Sequence, residues 1–353
     1  MEEALAELRA RVSEAHRTRT PLRLCGAGTK DFYGESDAGA RLDLTPYRGV
    51  IEYEPSELVL TARCGTPLSE IEALLESQRQ FLAFEPPRFG GDPTLGGVIA
   101  AGLSGPRRSQ AGAARDFVLG AVLLAVDGEA LHFGGKVMKN VAGFDVSRLL
   151  CGSLGILGPL LEVSLKVMPR PRAEETLRFE LTEEAALAAF NRWAGEPLPI
   201  SATAWWDGAA WLRLSGAPAA LRAARAKLGG QPIEAEEAVR WWEELRSQRH
   251  ALFGAAPSLW RLSVPSSARP LALEGPPLIE WGGALRWYAS TLPATEMRRI
   301  ATAAGGTALH WRGGAAGKRF HPLAGPVLEI HRRLKARFDP HGIFNPGRLV
   351  AGL

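Results

Sequence analysis

Apolar residues in the first half of the chain recur with helical spacing at the start and with the spacing of short strands afterwards. The helical pattern covers residues 2–17, and its apolar face is formed by Leu5, Leu8, Val12 and Ala15. Alternating or wholly apolar runs predict strands at 22–24, 41–44, 49–54, 57–63, 119–126 and 160–167. Helix and strand thus mix within the first 170 residues, which is typical of the α+β class.

A second helix is predicted over residues 68–77. We expect Thr66 to cap its N-terminus and Pro67 to occupy its first position. The proline-rich stretch 168–171 then interrupts the pattern and is a natural boundary. The first domain is therefore expected to span residues 1–171.

The pattern after residue 171 predicts an antiparallel arrangement. Helices are predicted at 183–193, 218–228, 236–253 and 295–304, and a last one at 327–338. Strands are predicted at 201–206, 210–215, 232–235, 259–264 and 307–311, with a hairpin over 278–290. This order predicts a smaller, ferredoxin-like antiparallel α+β domain over residues 172–325, with a doubled β-α-β unit. Residues 326–353 would form a C-terminal helix and tail.

Composition excludes several classes of protein. The chain has 353 residues, 46% of them hydrophobic, and a net charge of +4, so it can bury a large core. No run of five like charges occurs, which favours a scattered solvated surface over nucleic-acid binding. The N-terminus lacks a signal peptide, and the longest apolar runs are too short to span a membrane. We expect a cytoplasmic protein, with peripheral association at the inner face of the membrane left open.

The cysteine count limits the redox chemistry of the chain. Cys25, Cys64 and Cys151 are the three cysteines, an odd number that indicates reduced thiols. An iron–sulfur cluster usually takes four thiolates, so this chain has too few for a cluster of its own. Any flavin that it binds must therefore pass its electrons elsewhere. Cys25 is either a thiolate in an anion-binding loop or a small apolar residue that fits.

Three glycine-rich stretches, at 24–30, 93–102 and 152–158, are the strongest functional signal. Glycine lets the main chain approach a ligand closely, and successive N–H groups in tight turns bind anions. The first stretch lacks the G-x-G-x-x-G spacing of a Rossmann fold, and the chain has no P-loop. Alone it is also compatible with a plain tight turn. Three such stretches together indicate one long ligand with phosphates in its middle, as in FAD.

The order of these stretches and their neighbours resembles a known superfamily. The segments that carry the resemblance are Glu85–Pro87, Gly90–Gly97, Arg115–Gly120, Gly134–Asp145 and Leu149–Gly155. They resemble the PCMH-type FAD-binding domain, composed of two α+β subdomains, of the vanillyl-alcohol oxidase and p-cresol methylhydroxylase flavoproteins. The resemblance covers residues 15–171, and Phe338–Leu349 resembles the same superfamily's closing segment, which returns to the flavin. Lys139–Gly155 and Lys318–Pro322 resemble the glycolate oxidase branch, in particular the smaller flavin subunit of that bacterial complex.

The resemblance implies non-covalent FAD and assigns contacts to it. The pyrophosphate would lie along Cys25, Gly26, Ala27, Gly28, Thr29 and Lys30. The ribityl chain and isoalloxazine would lie along Pro86, Thr94, Gly96 and Gly97, and the adenine end along Gly152, Gly155 and Ile156. Asn345 would reach the flavin from the C-terminal segment, with Asp116, Lys139 and Asn140 as further candidates. The chain departs from the family in having Phe144 for a tyrosine and Ile156 for a threonine, and no histidine stands in the first loop to tether the flavin.

Candidate catalytic residues are few. The larger 2-hydroxy-acid dehydrogenases of the superfamily have paired histidines beside a metal, but no two histidines here lie within five residues, so we expect no metal. An α-hydroxy acid needs a cation for its carboxylate and a base for its hydroxyl proton. Arg319 and His321 are the candidates for these roles, and a surface loop or subunit contact is the alternative.

We therefore expect an FAD-binding subunit of a glycolate (2-hydroxy acid) dehydrogenase complex. Its partners would be the larger flavin subunit and an iron–sulfur subunit. All ten tryptophans lie between Trp193 and Trp311, which fits either core packing or a subunit interface. A free-standing flavin oxidase and a scaffold that has kept the flavin fold are the alternatives.

Overall fold

A computed structural model describes residues 1–135, 145–255, 258–313 and 319–353. Its helices are α1 (Glu2–Thr18), α2 (Leu68–Ser77), α3 (Leu95–Ala101), α4 (Arg108–Ala111), α5 (Val146–Leu150), α6 (Glu183–Ala194), α7 (Pro218–Leu228), α8 (Ala235–Arg246), α9 (Ala251–Ala255), α10 (Ala294–Ala303) and α11 (Gly325–Phe338). Its strands are β1 (Leu22–Cys25), β2 (Ala40–Asp43), β3 (Val50–Glu54), β4 (Val59–Arg63), β5 (Gln80–Phe81), β6 (Val118–Leu124), β7 (Ala130–Gly134), β8 (Leu160–Lys166), β9 (Met168–Pro169), β10 (Ala173–Glu180), β11 (Ile200–Trp206), β12 (Ala209–Gly216), β13 (Gln231–Pro232), β14 (Leu259–Ser263), β15 (Leu278–Glu280), β16 (Leu285–Ala289) and β17 (Thr307–Arg312).

The chain forms two compact units. The first consists of Met1–Leu103, Ala113–Pro169 and Pro322–Leu353, and the second of Ser104–Gly112 and Arg170–His321. The sequence pattern predicts domain limits at residues 171 and 326, and it offers no sign that residues 104–112 belong with the second half.

Side-chain contacts explain why Ser104–Gly112 is part of the second unit. The Arg107 guanidinium pairs with the Glu174 carboxylate and donates to the Ser215 hydroxyl. The Trp281 indole N–H donates to the carbonyl of Gly105 at 3.0 Å. Both partners of Arg107 are distant in sequence, so no local pattern could have predicted these contacts.

The first unit contains a five-stranded antiparallel sheet, in the order β3-β4-β8-β6-β7, and the parallel pair β1-β2. Helix α1 buries Leu8, Val12 and Ala15, three of the four residues predicted for its apolar face, in a core with β1 and β2. The C-terminal tail enters the same core through Ile343 and Phe344. Phe344 bridges to Leu22 in parallel, so the tail lies beside β1 like a further strand.

Three local predictions were wrong. Thr66 does not cap α2, because its hydroxyl accepts from the Gly49 N–H at 2.8 Å and donates to the Arg63 carbonyl at 2.7 Å. Pro67 is not the first helical residue either: it precedes the helix with an extended ψ of 142°. The helix predicted over 236–253 is two helices, α8 and α9. Gln248 lies between them with a φ of 54°, a left-handed conformation that ends a helix.

The second unit contains one eight-stranded antiparallel sheet, in the order β13-β10-β12-β11-β15-β16-β14-β17. The half from β10 to β13 has the β-α-β-β-α-β order of a ferredoxin-like unit, with α6 and α7 as its helices. The half from β14 to β17 repeats that strand order, but an irregular segment over 264–277 replaces its first helix. Strands β11 and β15 join the halves, so the doubled unit predicted from the sequence is confirmed.

Candidate functional site

A cleft that is open to solvent lies in the first unit. All three glycine stretches contribute to its wall. The predicted residues that line it are Gly26, Ala27, Gly28, Thr29, Lys30, Thr94, Gly96, Gly97, Gly155 and Asn345.

The first glycine loop, residues 26–30, follows β1 directly. The chain leaves the sheet at Cys25, whose carbonyl accepts from the Leu44 N–H, and turns at Gly28, where φ is 73°. Within the described ranges, none of the backbone N–H groups of residues 26–30 donates to a protein acceptor. Five consecutive open donors at a cleft wall suit an anion such as a diphosphate.

Lys30 places a buried positive charge beside these donors. The residue is only 9% exposed, and its ammonium lies 3.2 Å from the Thr29 hydroxyl and 5.8 Å from the ring centre of Phe89. In the part of the chain that the structure describes, no carboxylate pairs with this ammonium. Burial lowers the pKa of Lys30 to about 8. An anionic ligand would supply the missing countercharge.

The second glycine loop forms the start of α3. Its amide groups are already used: Gly96 donates to the Cys64 carbonyl at 2.8 Å, and Gly97 donates to the hydroxyl of the capping residue Thr94 at 3.2 Å. This segment therefore offers close main-chain approach rather than open donors. A Cβ on Gly96 would stand 2.8 Å from the Cβ of Cys64, and a Cβ on Gly26 would overlap the Thr94 hydroxyl. Glycine at these positions lets the cleft walls contact each other.

The third glycine loop is held by the C-terminal tail. The Asn345 side-chain amide donates to the Leu154 carbonyl at 2.7 Å, and its oxygen accepts from the Leu24 N–H at 2.7 Å. A Cβ on Gly155 would stand 2.7 Å from the Asn345 amide nitrogen. Asn345 thus joins the end of β1, just before the first loop, to the third loop.

Arg348 also lines the cleft and was not predicted. Its guanidinium donates to the carbonyls of Lys30, Asp31, Tyr33 and Ser36 at 2.9–3.3 Å. Burial lowers its pKa from the usual arginine value. These bonds hold the segment after the first glycine loop against the tail.

Other predicted contacts lie outside the cleft wall. Cys25 is buried at the end of β1, Pro86 is buried before the second loop, and Asp116 is exposed and accepts from the Ala113 N–H. Gly152 donates to the Ile99 carbonyl, and the Ile156 carbonyl accepts from Lys335. Their contacts with FAD remain predictions. Lys139 and Asn140, with Phe144 and Lys318, fall outside the described residues.

The catalytic candidates lie in the second unit. His321 accepts through Nδ1 from the Ala308 N–H at 3.3 Å, and the Arg319 carbonyl accepts from the His310 N–H at 2.9 Å. Burial and the charge of Arg298 lower the pKa of His321. A neutral ring that accepts at Nδ1 carries its proton on Nε2, so this arrangement makes His321 a hydrogen-bond donor at Nε2.

A tight polar network behind the cleft was also missed. The buried Lys335 ammonium donates to the Asp339 carboxylate at 2.6 Å and to the carbonyls of Ile156 and Phe344 at 2.7 Å each. The i, i+4 spacing of Lys335 and Asp339 is visible in the sequence, but it is indistinguishable there from an exposed ion pair. Cys64 was likewise not predicted at the site, and it lines the cleft as a thiol whose pKa burial raises.

The residues present fit FAD. The open amides of residues 26–30 and the Lys30 ammonium match a diphosphate, and the glycines at 96, 97 and 155 line the same cleft, along which a long ligand would pass. In the described ranges, no group of three or more His, Cys, Asp or Glu residues is placed to hold a metal ion. Likewise, no described helix is long and apolar enough to cross a membrane.

Fold and cleft together define an α+β, PCMH-type FAD-binding protein, and comparison with known proteins agrees. Residues 3–134 match the FAD binding domain family. Alkyldihydroxyacetonephosphate synthase shares the fold, with a TM-score of 0.67 at 15% identity over 98% of this chain and 76% of that chain.

Two curated relatives make the assignment more specific. Glycolate oxidase subunit GlcE of Escherichia coli is 47% identical over 97% of this chain and 96% of its own length. Glycolate oxidase subunit GlcD of Bacillus subtilis is 30% identical over 52% of this chain and 40% of its own length. The chain belongs to the glycolate oxidase subunit GlcE family, a family of FAD-binding oxidoreductase subunits that act on CH–OH groups.

Proposed function

We propose that this chain is the FAD-carrying subunit of a glycolate dehydrogenase complex and that its electrons leave through an iron–sulfur partner. The full-length similarity to glycolate oxidase subunit GlcE supports the complex. Three cysteines, too few for the usual four-thiolate cluster, support a separate iron–sulfur chain. The observation that carries the proposal is the cleft, with five open amides and one buried ammonium side by side.

The residues of the cleft bind and orient the cofactor. Residues 26–30 donate to the diphosphate, and Lys30 neutralises part of its charge. Asn345 and Arg348 keep the loops in place through main-chain contacts. When bound, FAD accepts two electrons and releases them singly to a one-electron carrier.

Oxidation of glycolate to glyoxylate removes a hydride from the α-carbon and a proton from the hydroxyl group. We propose that the Arg319 guanidinium binds the carboxylate if substrate reaches this chain, with the Nε2–H group of His321 as a second donor. The Nδ1 contact of His321 with Ala308 leaves no lone pair at Nε2 for the hydroxyl proton. This favours electron relay, or support of another subunit, over primary oxidation of substrate by this chain.

Native co-expression with the candidate partner subunits tests the proposal. We expect the tagged chain to be yellow, to contain about one FAD per chain and to co-purify with a second flavoprotein and an iron-containing chain. The isolated, FAD-loaded chain should not reduce a dye with glycolate, whereas the complex should. A monodisperse monomer under native expression would contradict the complex.

Two alternatives have distinct outcomes. Turnover of glycolate with oxygen by the isolated chain would establish a free-standing oxidase. A colourless chain that takes up no FAD would establish a scaffold. Within the complex, Arg319→Met and His321→Gln should leave FAD content unchanged, and a loss of glycolate turnover would show that substrate contacts this chain.

A further inference from the structure

Two ion pairs with i, i+4 spacing lie along helix α11 and the residue that directly follows it, and their environments are opposite. Arg333 and Glu329 form an exposed pair at 2.9 Å. Lys335 and Asp339 form a buried pair at 2.6 Å, with side-chain exposures of 7% and 0%. Removing an ion pair from water is costly, and a buried pair often contributes little to stability. The presence of a buried pair here therefore needs another explanation.

The contacts of the buried pair point towards the cleft. Two of the three acceptors of Lys335 are main-chain carbonyls, those of Ile156 and Phe344. Ile156 directly follows Gly155, which lines the cleft, and Phe344 directly precedes Asn345, which also lines it. The Asp339 carboxylate accepts from the Ile343 N–H at 3.0 Å and from the Phe344 N–H at 2.7 Å. The pair therefore holds the residues next to two elements of the cleft wall.

Three acceptors surround the Lys335 side chain, so this position needs a compact group that can donate several hydrogen bonds. A lysine ammonium donates three hydrogen bonds, and all three are used here. An apolar side chain of similar length would fill the space but leave both carbonyls without a donor. Burial lowers the pKa of Lys335, while the neighbouring Asp339 carboxylate opposes that shift.

We propose that Lys335 is a positioning residue for FAD: its ammonium fixes the Ile156 and Phe344 carbonyls, and thereby sets the spacing between the third glycine loop and Asn345. Lys335 does not line the cleft itself and acts through these two neighbours. The ion pair with Asp339 keeps the ammonium charged and oriented. Lys335 thus increases the affinity for FAD by an effect that is distinct from its contribution to the stability of the fold.

A double-mutant comparison separates the two contributions. Lys335→Met leaves the Asp339 carboxylate buried without its partner, so both the melting temperature and FAD affinity should fall. Lys335→Met combined with Asp339→Asn removes both charges, so most of the melting temperature should return. FAD affinity should stay about 10- to 100-fold weaker, since the two carbonyls still lack the charged donor.

The measurements are the melting temperature of the FAD-free full-length chain and the FAD dissociation constant from flavin fluorescence. Arg333→Met breaks the exposed pair on the same helix and is the matched control, for which neither quantity should change. The visible absorbance and circular dichroism of bound flavin should differ between the double variant and the wild type.

Recovery of wild-type FAD affinity in the double variant would overturn the proposal, because affinity would then follow stability alone. Wild-type affinity in Lys335→Met would do the same. Failure of the double variant to fold would also count against it, because the pair would then serve folding first. A wild-type chain that takes up no FAD would contradict the FAD assignment itself, which is a separate result.

Discussion

Single residues at the cleft wall act either by having no side chain or by carrying a buried charge. Gly96 and Gly155 allow contacts that a Cβ would prevent, because the neighbouring atoms stand 2.7–2.8 Å from the Cβ position. Lys30 places its ammonium where the main chain already offers open donors. Substitutions at Gly96 and Gly155 should therefore disturb the packing of the cleft wall, whereas a change at Lys30 should act mainly on the binding of an anion.

Gly97→Asp should abolish FAD uptake. A Cβ at Gly97 would stand 3.2 Å from the Thr94 hydroxyl, and the carboxylate would bring a negative charge into a cleft whose open amides at residues 26–30 suit an anionic ligand. Gly97→Ala is the matched control, because it adds the Cβ without the charge, and should keep most of the affinity. FAD content after purification and titration of the FAD-free chain measure both. Unchanged affinity in Gly97→Asp would refute the placement of the second loop at the ligand.

FAD affinity should depend on pH through Lys30. Its pKa in the free chain is about 8, and a bound anion would raise that pKa. Below pH 8 the ammonium is already charged and affinity should be flat. Above pH 8 binding must take up a proton, so affinity should fall by up to about 10-fold per pH unit.

Lys30→Met provides the control for this pH profile. The variant should bind FAD more weakly at pH 7 and should lose the pH dependence above pH 8. In the FAD-free chain, an unfolded lysine of ordinary pKa binds more protons than folded Lys30 between about pH 8 and 10.5, so the Lys30 contribution to the free energy of unfolding rises with pH there. If FAD affinity depended on pH in the same way in the wild type and in Lys30→Met, the proposed role of Lys30 in binding the anion would be contradicted.

At the scale of elements, the tail after α11 holds several loops of the first unit. Asn345 contacts Leu24 and Leu154, and Arg348 contacts four carbonyls between Lys30 and Ser36. Gly34 lies against Arg348, where a Cβ would stand 2.9 Å from its Cγ. The cleft is therefore assembled by an element more than 300 residues away from the first loop.

Arg348→Met should loosen residues 30–36. Four carbonyls would lose the Arg348 donor, so the segment should become accessible to a chymotrypsin-like protease at Phe32 and Tyr33. FAD affinity should fall by about 10-fold or more, since hydrogen bonds to a charged group contribute about 1.5–3 kcal/mol each. Cleavage sites mapped by mass spectrometry check the first effect, with Arg337→Met on α11 as the control. Equal cleavage in the wild type and in Arg348→Met would argue against this holding role.

At the scale of the whole molecule, the first unit is discontinuous. It combines two segments before Arg170 with Pro322–Leu353, and the second unit is inserted between them. Formation of the FAD cleft therefore requires the chain to be complete through the tail.

Truncation after His321 should abolish FAD binding and destabilise the first unit. It removes Lys335, Asn345 and Arg348, together with the buried Ile343 and Phe344. The double substitution Val327→Ser and Ile330→Ser changes two exposed residues of the removed region, 42% and 63% exposed, and should leave FAD content unchanged. In both variants, flavin content measures FAD binding and circular dichroism measures the stability of the fold. FAD binding by the truncated chain would show that the tail is dispensable.

Most elements of the fold could be predicted from local patterns, because burial of one face imposes a period of 3.6 or 2 on the sequence. Helix α1, four of the five strands of the first sheet and the doubled order of the second unit are examples, whereas strands β7 and β10 were not predicted. The predictions of a Thr66 cap and of one helix over 236–253 were wrong for reasons that the local pattern does not encode. The Thr66 hydroxyl is used by a contact with Gly49, and the left-handed backbone of Gln248 ends the first helix.

The sequence by itself determined the class of protein, the ligand and the three loops, because glycine and proline restrict the main chain locally and leave a readable motif. Only the tertiary structure decided which residues hold those loops together. Lys335, Arg348 and the docking of Ser104–Gly112 depend on partners far away in the chain. A lysine or arginine looks the same in a sequence whether its charge is solvated or buried, and only the fold brings the distant carbonyls to it.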